Sequence, residues 1–318
     1  MKILLYFNFT PDQIEAFRRL AGENGGHEIF QAASEAEALK VAPEIEVLMG
    51  SFPPAVCAAA SKLRWIQSYS AGMDKFLLPE IIERAEVAVS NMAGIYAPQG
   101  GEHAWALLLA LARGLHRSIR RQDRREWAAE PVFTVSGGVM GLIGLGGFGL
   151  EMVKRARGYD LTILAIDPVR TEKPEGIAEL KPASKENLHD LLRRSDVVMT
   201  ACPLTPETYH LIGRPELALM KPTAYLINVT RGGIIDEPAL IEALQSGQIA
   251  GAGLDVCEAE PLPPDNPLWQ APNLIITPHR AGASPHRPRE TFAFFYQNLA
   301  RYLKGERPLN LIDKRRGF

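Results

Sequence analysis

The sequence predicts an α/β protein built from two doubly wound parallel sheets. Three observations point there. Short apolar runs alternate with helical stretches along nearly the whole chain, the pattern of parallel strands with helices on both faces. The 318 residues exceed a domain of ordinary size, so two domains are expected. A glycine-rich turn at 144–149 opens the second of two such rhythms, and a long apolar helix and a charged stretch separate it from the first.

In the first rhythm, residues 4–7, 28–30, 47–50 and 65–69 read as strands, with helices at 11–21, 35–41 and 54–62. One long helix is predicted at about 98–120. Its centre, residues 103–111, is apolar almost all round, so it must be covered on every side by core or by another subunit. The charged segment 117–130 reads as a crossover or an arm. In the second rhythm, strands fall at 139–144, 161–167, 196–200, 224–229, 250–255 and 274–277, with helices at 147–158 and 185–194. Asp236, followed by Glu237 and Pro238, starts a helix that runs to Gln245. Pro261-Leu262-Pro263-Pro264-Asp265 can only be a loop. The last helix, about 288–304, lies beyond the second sheet and is expected to pack back on the first domain. Residues 1–98 with 287–318 then form one domain, and 99–286 form the other as an insertion.

Composition excludes several function classes. Apolar residues are 46% and charged residues 23%, an ordinary globular mix. Thirty-five Lys+Arg against 37 Asp+Glu leave a net charge of −2, which argues against nucleic-acid binding. Cys57, Cys202 and Cys257 are too few and too scattered for a disulfide framework. There is no CxxC or HExxH spacing, so no metal is expected. A reducing, cytoplasmic compartment fits this cysteine usage. The apolar start at residues 3–7 is too short for a signal-peptide core and reads as a strand. The longest apolar run, 104–112, is about half a membrane span, so no membrane partner is expected.

Gly144-Leu145-Gly146-Gly147-Phe148-Gly149 matches GxGxxG. It follows a predicted strand and opens a predicted helix, and Asp167 closes the next strand 23 residues after the first glycine. That context marks a Rossmann dinucleotide-binding unit. Gly144 permits the tight turn, Gly146 lets a pyrophosphate approach the helix N-terminus, and Gly149 allows close helix–strand contact. Asp167 can accept from both adenosine-ribose hydroxyls and repels a 2′-phosphate. NAD is therefore favoured over NADP, although Arg170 nearby could receive that phosphate.

Arg231, Glu260 and His279 all fall at, or just after, the C-terminal ends of predicted strands, the edge where open α/β sheets bind ligands. With these residues the chain resembles the D-isomer-specific 2-hydroxyacid dehydrogenase family over nearly its whole length. The matching motifs run in order through Ser70-Ala71-Gly72-Met73-Asp74, 203–208, 220–222, 228–233, 255–261 and 277–283. The resemblance implies an NAD(H)-dependent oxidoreductase that interconverts a small 2-oxo acid, such as glyoxylate or hydroxypyruvate, and its D-2-hydroxy acid. It implies a flavodoxin-like substrate domain around the Rossmann insertion, and a homodimer formed through the apolar helix and the charged arm.

The chemistry accounts for the residue types. A guanidinium can hold a carboxylate by a two-point fork and polarise the adjacent ketone, the role implied for Arg231. A histidine can give and take the proton in either direction, the role implied for His279. A carboxylate on the other ring nitrogen orients the imidazole, the role implied for Glu260. The backbone amides of Ala71, Gly72 and Met73 are expected to take the substrate carboxylate. By the same motifs, Gly147 and Phe148 sit over the pyrophosphate. Cys202, Val229, Thr230 and Asp255 line the adenosine-to-nicotinamide path, with Arg231 and His279 at its end, and Ala281 and Gly282 flank the nicotinamide. His103 is expected only to pack at the start of the long helix. Tyr69, Met73, Tyr96, Trp127 and Trp269 are candidate pocket side chains.

The chain departs from the family pattern in places. Gly147 stands where a basic or polar residue is common, Cys257 where an aromatic is common, and Arg280 where an aliphatic residue is usual. Arg280 is expected either to bind a second negative group or to point to solvent. Glu260 argues against the formate dehydrogenase branch. Two other readings compete with the 2-oxo acid reductase: a phosphite-type dehydrogenase, and an NAD-sensing binding protein like the corepressors that resemble this family.

Overall fold

The central strands bury side chains on both faces, as strands of a parallel sheet covered by helices must. The computed structural model describes all 318 residues. Unit 1 comprises Met1–Tyr96 and Ser284–Phe318, and unit 2 comprises Ala97–Ala283. These divisions fall two and three residues before the boundaries read from the sequence, because the first helix of unit 2 already starts at Ala97.

Unit 1 runs β1 (Lys2–Tyr6), α1 (Pro11–Glu23), β2 (Glu28–Gln31), α2 (Glu35–Val41), β3 (Val47–Gly50), α3 (Pro54–Ala59), β4 (Trp65–Ser68), α4 (Pro79–Ile82) and β5 (Ala88–Ser90). The strands are parallel, in the order β2-β1-β3-β4-β5, which is the flavodoxin-like winding. Alternation along each strand feeds two cores. Leu4, Leu48 and Ile66 enter one with Ala38 and Val56. Ile3, Leu5, Val47, Met49 and Trp65 enter the other with Phe17 and Phe295. Phe295 lies on the last helix, α11 (Arg287–Leu303), so the chain does return to this domain after the second sheet. Asn298 of α11 is fully buried; its amide donates to Gln67 of β4 at 2.6 Å, and its oxygen accepts from the Leu309 amide at 2.6 Å. The chain then runs antiparallel along β5, where Leu311 bridges Ser90 and the Ile312 amide donates to Val89 at 2.9 Å.

Unit 2 begins with α5 (Ala97–Ala112) and α6 (Leu115–Asp123). The sequence predicted one helix here. The structure breaks it at Gly114, whose φ of +65° leaves the helical region. Trp105, Leu107, Leu108 and Leu111 of α5 are buried within unit 2, so its own core covers most of this helix. The charged stretch after it is pinned rather than loose: the largely buried Glu130 carboxylate receives Arg117 at 2.9 Å and Arg121 at 2.5 Å.

The sheet follows: β6 (Val139–Ile143), α7 (Gly147–Ala156), β7 (Thr162–Asp167), β8 (Glu179–Pro182), α8 (Lys185–Arg194), β9 (Val197–Thr200), α9 (Arg214–Leu217), β10 (Tyr225–Asn228), α10 (Glu237–Gln245), β11 (Gly251–Leu254) and β12 (Leu274–Ile276). Its parallel order is β12-β11-β10-β9-β6-β7-β8, the Rossmann winding with a seventh strand added. The order reverses between β6 and β9, so the ligand crevice of this sheet lies at their C-terminal ends. Asp236 caps α10 through the Ala239 amide, as its sequence context predicts. No helix is long and apolar enough to cross a membrane.

Candidate active site

The glycine turn sits at the strand-order switch. Gly144 has φ +94°, and a Cβ there would lie 2.8 Å from the backbone of Ala201 and Cys202 beyond β9, so only glycine lets the turn pass. Gly146 precedes α7, and nothing lies within 4 Å of where its Cβ would be. The first-turn amides of α7, from Gly147, Phe148 and Gly149, have no carbonyl to serve in their own helix. Open space over unserved amides at a helix N-terminus fits a pyrophosphate.

Asp167 is busier than its expected role requires. One carboxylate oxygen accepts from the Leu145 amide at 2.7 Å; the other accepts from Val169 and Arg170 at 2.9 and 2.7 Å. A carboxylate offers about four lone-pair sites, so one remains for a ribose hydroxyl rather than two. Arg170 in turn donates from Nε to the Leu145 carbonyl at 3.1 Å. Asp167 thus also ties the glycine turn to β7.

Three loops on the far side of the switch carry the expected chemistry. Beyond β10, the fully buried Asn228 organises the Arg231 loop: its amide donates to the Arg231 carbonyl at 2.7 Å, and its oxygen accepts from Thr200 at 2.8 Å and from the Thr230 amide at 3.0 Å. Arg231 also donates from its guanidinium to the Thr230 carbonyl at 2.8 Å. The next residue presses this loop on the Glu260 loop, for a Cβ on Gly232 would stand 2.0 Å from the Cys257 carbonyl carbon. Glu260 accepts from the Cys257 amide at 3.0 Å through one oxygen and meets His279 Nδ1 at 2.7 Å through the other. The imidazole is about half exposed. With Nδ1 turned to the carboxylate, Nε2 is the nitrogen left for exchange with a substrate. The structure therefore joins Glu260 and His279 directly, and Arg231 to them by loop-on-loop packing.

Around Glu260 lies a second acidic group. The Glu258 amide donates to the buried Glu237 at 2.6 Å, and the Glu258 carboxylate meets His210 at 2.9 Å. Burial is the main cause that pushes the Glu237 carboxyl above its ordinary range. Burial likewise pushes the thiols of Cys202 and Cys257 up to about 12, so both stay neutral and neither is a nucleophile.

Asp255, at the end of β11, is fully buried. It accepts from the Thr277 hydroxyl at 2.6 Å, the Arg280 amide at 2.8 Å and the Ala281 amide at 2.6 Å. Burial alone would raise its carboxyl; the bonds from His103, Thr277 and the two amides outweigh it and hold the group below its ordinary range. These contacts face the His279 loop, and Ala281 is itself buried beneath them. Its partner His103 does more than pack at a helix start: Nε2 lies 2.8 Å from Thr277 Oγ1 and 3.3 Å from Asp255. Sequence reasoning missed His103, Asn228 and Thr277 as site-building residues. Asn228 and Thr277 carried one available signal, a polar side chain at a strand end; His103, inside α5, carried none.

In unit 1, the turn after β4 directs its carbonyls inward. Ser70 accepts from the Met92 amide, Ala71 from the Asn91 side chain and Gly72 from the Ser70 hydroxyl. The amides of Ala71, Gly72 and Met73 are left as the donors of this turn. The Met73 and Tyr96 side chains are buried in the cores of unit 1, and the Tyr96 hydroxyl bonds Thr291, so neither lines a pocket by its side chain. Tyr69 packs with Phe7 and Phe76, while Trp127 and Trp269 are exposed.

The matched family model is that of the D-isomer specific 2-hydroxyacid dehydrogenase NAD-binding domain, over residues 105–281. A glyoxylate reductase of Korarchaeum cryptofilum is 38% identical over 280 residues, 85% of this chain and 82% of that protein. Among solved structures, a D-isomer specific 2-hydroxyacid dehydrogenase family protein of Aeromonas salmonicida is 31% identical with a TM-score of 0.81, covering 98% of this chain and 99% of that one. The NADPH-dependent glyoxylate/hydroxypyruvate reductase of Sinorhizobium meliloti, solved with NADP and sulfate, is 25% identical with a TM-score of 0.83, covering 100% and 99%.

Proposed function

The chain belongs to the D-isomer-specific 2-hydroxyacid dehydrogenase family and is an NAD(P)-dependent enzyme of that class; from this premise we propose that it reduces a small 2-oxo acid, glyoxylate or hydroxypyruvate first, with Arg231, Glu260 and His279 as its working residues. The observation that carries the reading is the 2.7 Å contact between His279 Nδ1 and Glu260, which leaves Nε2 free.

The reduced nicotinamide, when bound, supplies hydride to the carbonyl carbon. Gly144, Gly146, Gly147, Phe148 and Gly149 hold its pyrophosphate, Asp167 its ribose, and Cys202, Val229, Thr230, Asp255, Ala281 and Gly282 flank the path to its ring. Arg231 grips the substrate carboxylate and polarises the ketone. His279 gives its Nε2 proton to the nascent alkoxide, and Glu260 stabilises the cationic ring beforehand. The amides of Ala71, Gly72 and Met73, which no carbonyl of the chain engages, are donors suited to a carboxylate, which supports their assignment to substrate.

NAD is the favoured cofactor, because Asp167 sets a negative charge where a 2′-phosphate would lie. Arg170, anchored beside it on the Leu145 carbonyl, supports a measurable NADP reaction as well. A homodimer is supported by the exposed apolar side chains Leu115, Ile119, Trp127 and Val132 on α6 and the arm. Sedimentation at micromolar concentration tests it, and a monomer would refute it.

The deciding assay is oxidation of NADH and NADPH against a panel of 2-oxo acids with phosphite as a control. Turnover with glyoxylate or hydroxypyruvate, faster with NADH, is expected. Binding of NADH without turnover on any 2-oxo acid would overturn the reading.

A further inference from the structure

His279 has a backbone φ of +52°, in the left-handed region that residues with a side chain seldom occupy. Such a conformation persists only when its surroundings over-determine it. Here the surroundings are Asp255. Its carbonyl accepts the His279 amide at 2.8 Å, and its carboxylate accepts the next two amides, from Arg280 and Ala281. One buried residue therefore fixes three consecutive residues of the loop that carries the acid.

The carboxylate is itself oriented from α5. Thr277 Oγ1 lies 2.6 Å from Asp255 Oδ1, and a carboxylate has no proton to give, so the hydroxyl donates its only one there. The 2.8 Å contact between Thr277 Oγ1 and His103 Nε2 then has one solution: the imidazole carries its proton on Nε2 and donates it to the hydroxyl. The chain of bonds runs His103 to Thr277 to Asp255, and from Asp255 to the backbone of residues 279–281. The same imidazole nitrogen stands 3.3 Å from the carboxylate, so it meets both acceptors.

We propose that His103 is a positioning residue for proton transfer, which sets the His279 ring in place through Thr277 and Asp255 without touching substrate. The proposal rests on His279 being the acid, as argued above. His103 contributes from an element remote in sequence, so the loop and helix α5 must be in register for the acid to be aimed.

The test uses the full chain, NADH and glyoxylate, with His103→Leu, His103→Gln and Thr277→Val beside the parent. His103→Leu is expected to lower kcat tenfold or more, with the dissociation constant of NADH, followed by its fluorescence, within twofold. The solvent deuterium isotope effect on kcat should rise, because the misaimed proton step becomes slow. His103→Gln keeps an N–H donor and should recover much of the loss. Thr277→Val keeps the shape but cuts the relay, and should reproduce the leucine variant. It also answers the question if His103→Leu fails to fold. A kcat within twofold in Thr277→Val, an unchanged isotope effect, or a loss explained by weaker NADH binding would overturn the proposal. His279→Gln separates the two readings. If it keeps turnover, the acid assignment falls. If it is inactive while His103→Leu and Thr277→Val run normally, only the positioning role falls.

Discussion

The two sheets of this protein share a winding principle and differ at their C-terminal edges. In unit 2, the strand ends carry polar side chains in succession: Asp167 on β7, Thr200 on β9, Asn228 on β10, Asp255 after β11 and Thr277 after β12. Each bonds a neighbouring strand end or loop: the two carboxylates accept from loop amides, the two threonine hydroxyls donate to Asn228 and Asp255, and Asn228 both donates and accepts. In unit 1, the corresponding turn after β4 offers backbone amides instead. The difference teaches a division of labour. Side chains at one edge build rigid loops that present Arg231, Glu260 and His279, whereas the other edge presents donors that need no side chain and no protonation state.

The strongest way to break this contrast is at His279. His279→Gln should lower kcat by about 10²–10⁴, the usual weight of general acid catalysis, while NADH titration remains close to the parent. Retained turnover would move the chemistry off the unit 2 edge.

Next in size is Gly232→Ala. A methyl group would collide with the Cys257 backbone, so the Arg231 and Glu260 loops must separate. Activity should fall by more than tenfold and the melting temperature should drop by several degrees, since backbone overlap costs on the order of 1–3 kcal/mol. A fully active, equally stable variant would show that the two loops do not depend on each other.

A smaller effect sharpens the unit 1 side. Ala71→Pro removes one amide donor and should raise KM for glyoxylate about tenfold, the lower end of the weight of one charge-assisted bond at about 1.5–3 kcal/mol. Unchanged KM would take that amide out of substrate binding.

The smallest effect concerns stability against pH. The Glu237 carboxyl is raised above its unfolded value of 4.5, mainly by burial. Its contribution is therefore complete below 4.5 and is lost as pH rises through its folded value. Glu237→Gln keeps an acceptor for the Glu258 amide and should remove that decline. Urea midpoints above pH 4.5 should then fall less with pH than in the parent, and parallel curves would refute the assignment.

Much of this architecture was readable in advance because unbroken apolar runs mark short strands buried on both faces, such as Val47–Gly50 and Val197–Thr200. The strands that went unread are edge strands. Ala88–Ser90 has three residues, and Glu179–Pro182 is half-exposed with no apolar run, so neither leaves a pattern. The single helix predicted across 98–120 failed at Gly114, where backbone conformation overrides a continuous helical composition. Arg231, Glu260 and His279 stood out in the sequence because the proposed chemistry needs those residue types at strand ends, and the structure brings Glu260 and His279 together. His103 was not, since its meaning depends on Thr277 and Asp255, more than 150 residues away in the chain.

The return of the chain to β5 governs the order in which the molecule can be made. Unit 1 needs α11 and the segment that pairs Leu311 with Ser90, and these are synthesised after all of unit 2. A ribosome therefore releases a complete nucleotide-binding sheet while the first sheet still lacks Phe295, Asn298 and its covered edge. Domains fold as units during synthesis, so the inserted one is finished first and the one that begins the chain is finished last. Until then, the apolar face that awaits α11 is the part of the nascent protein most in need of protection.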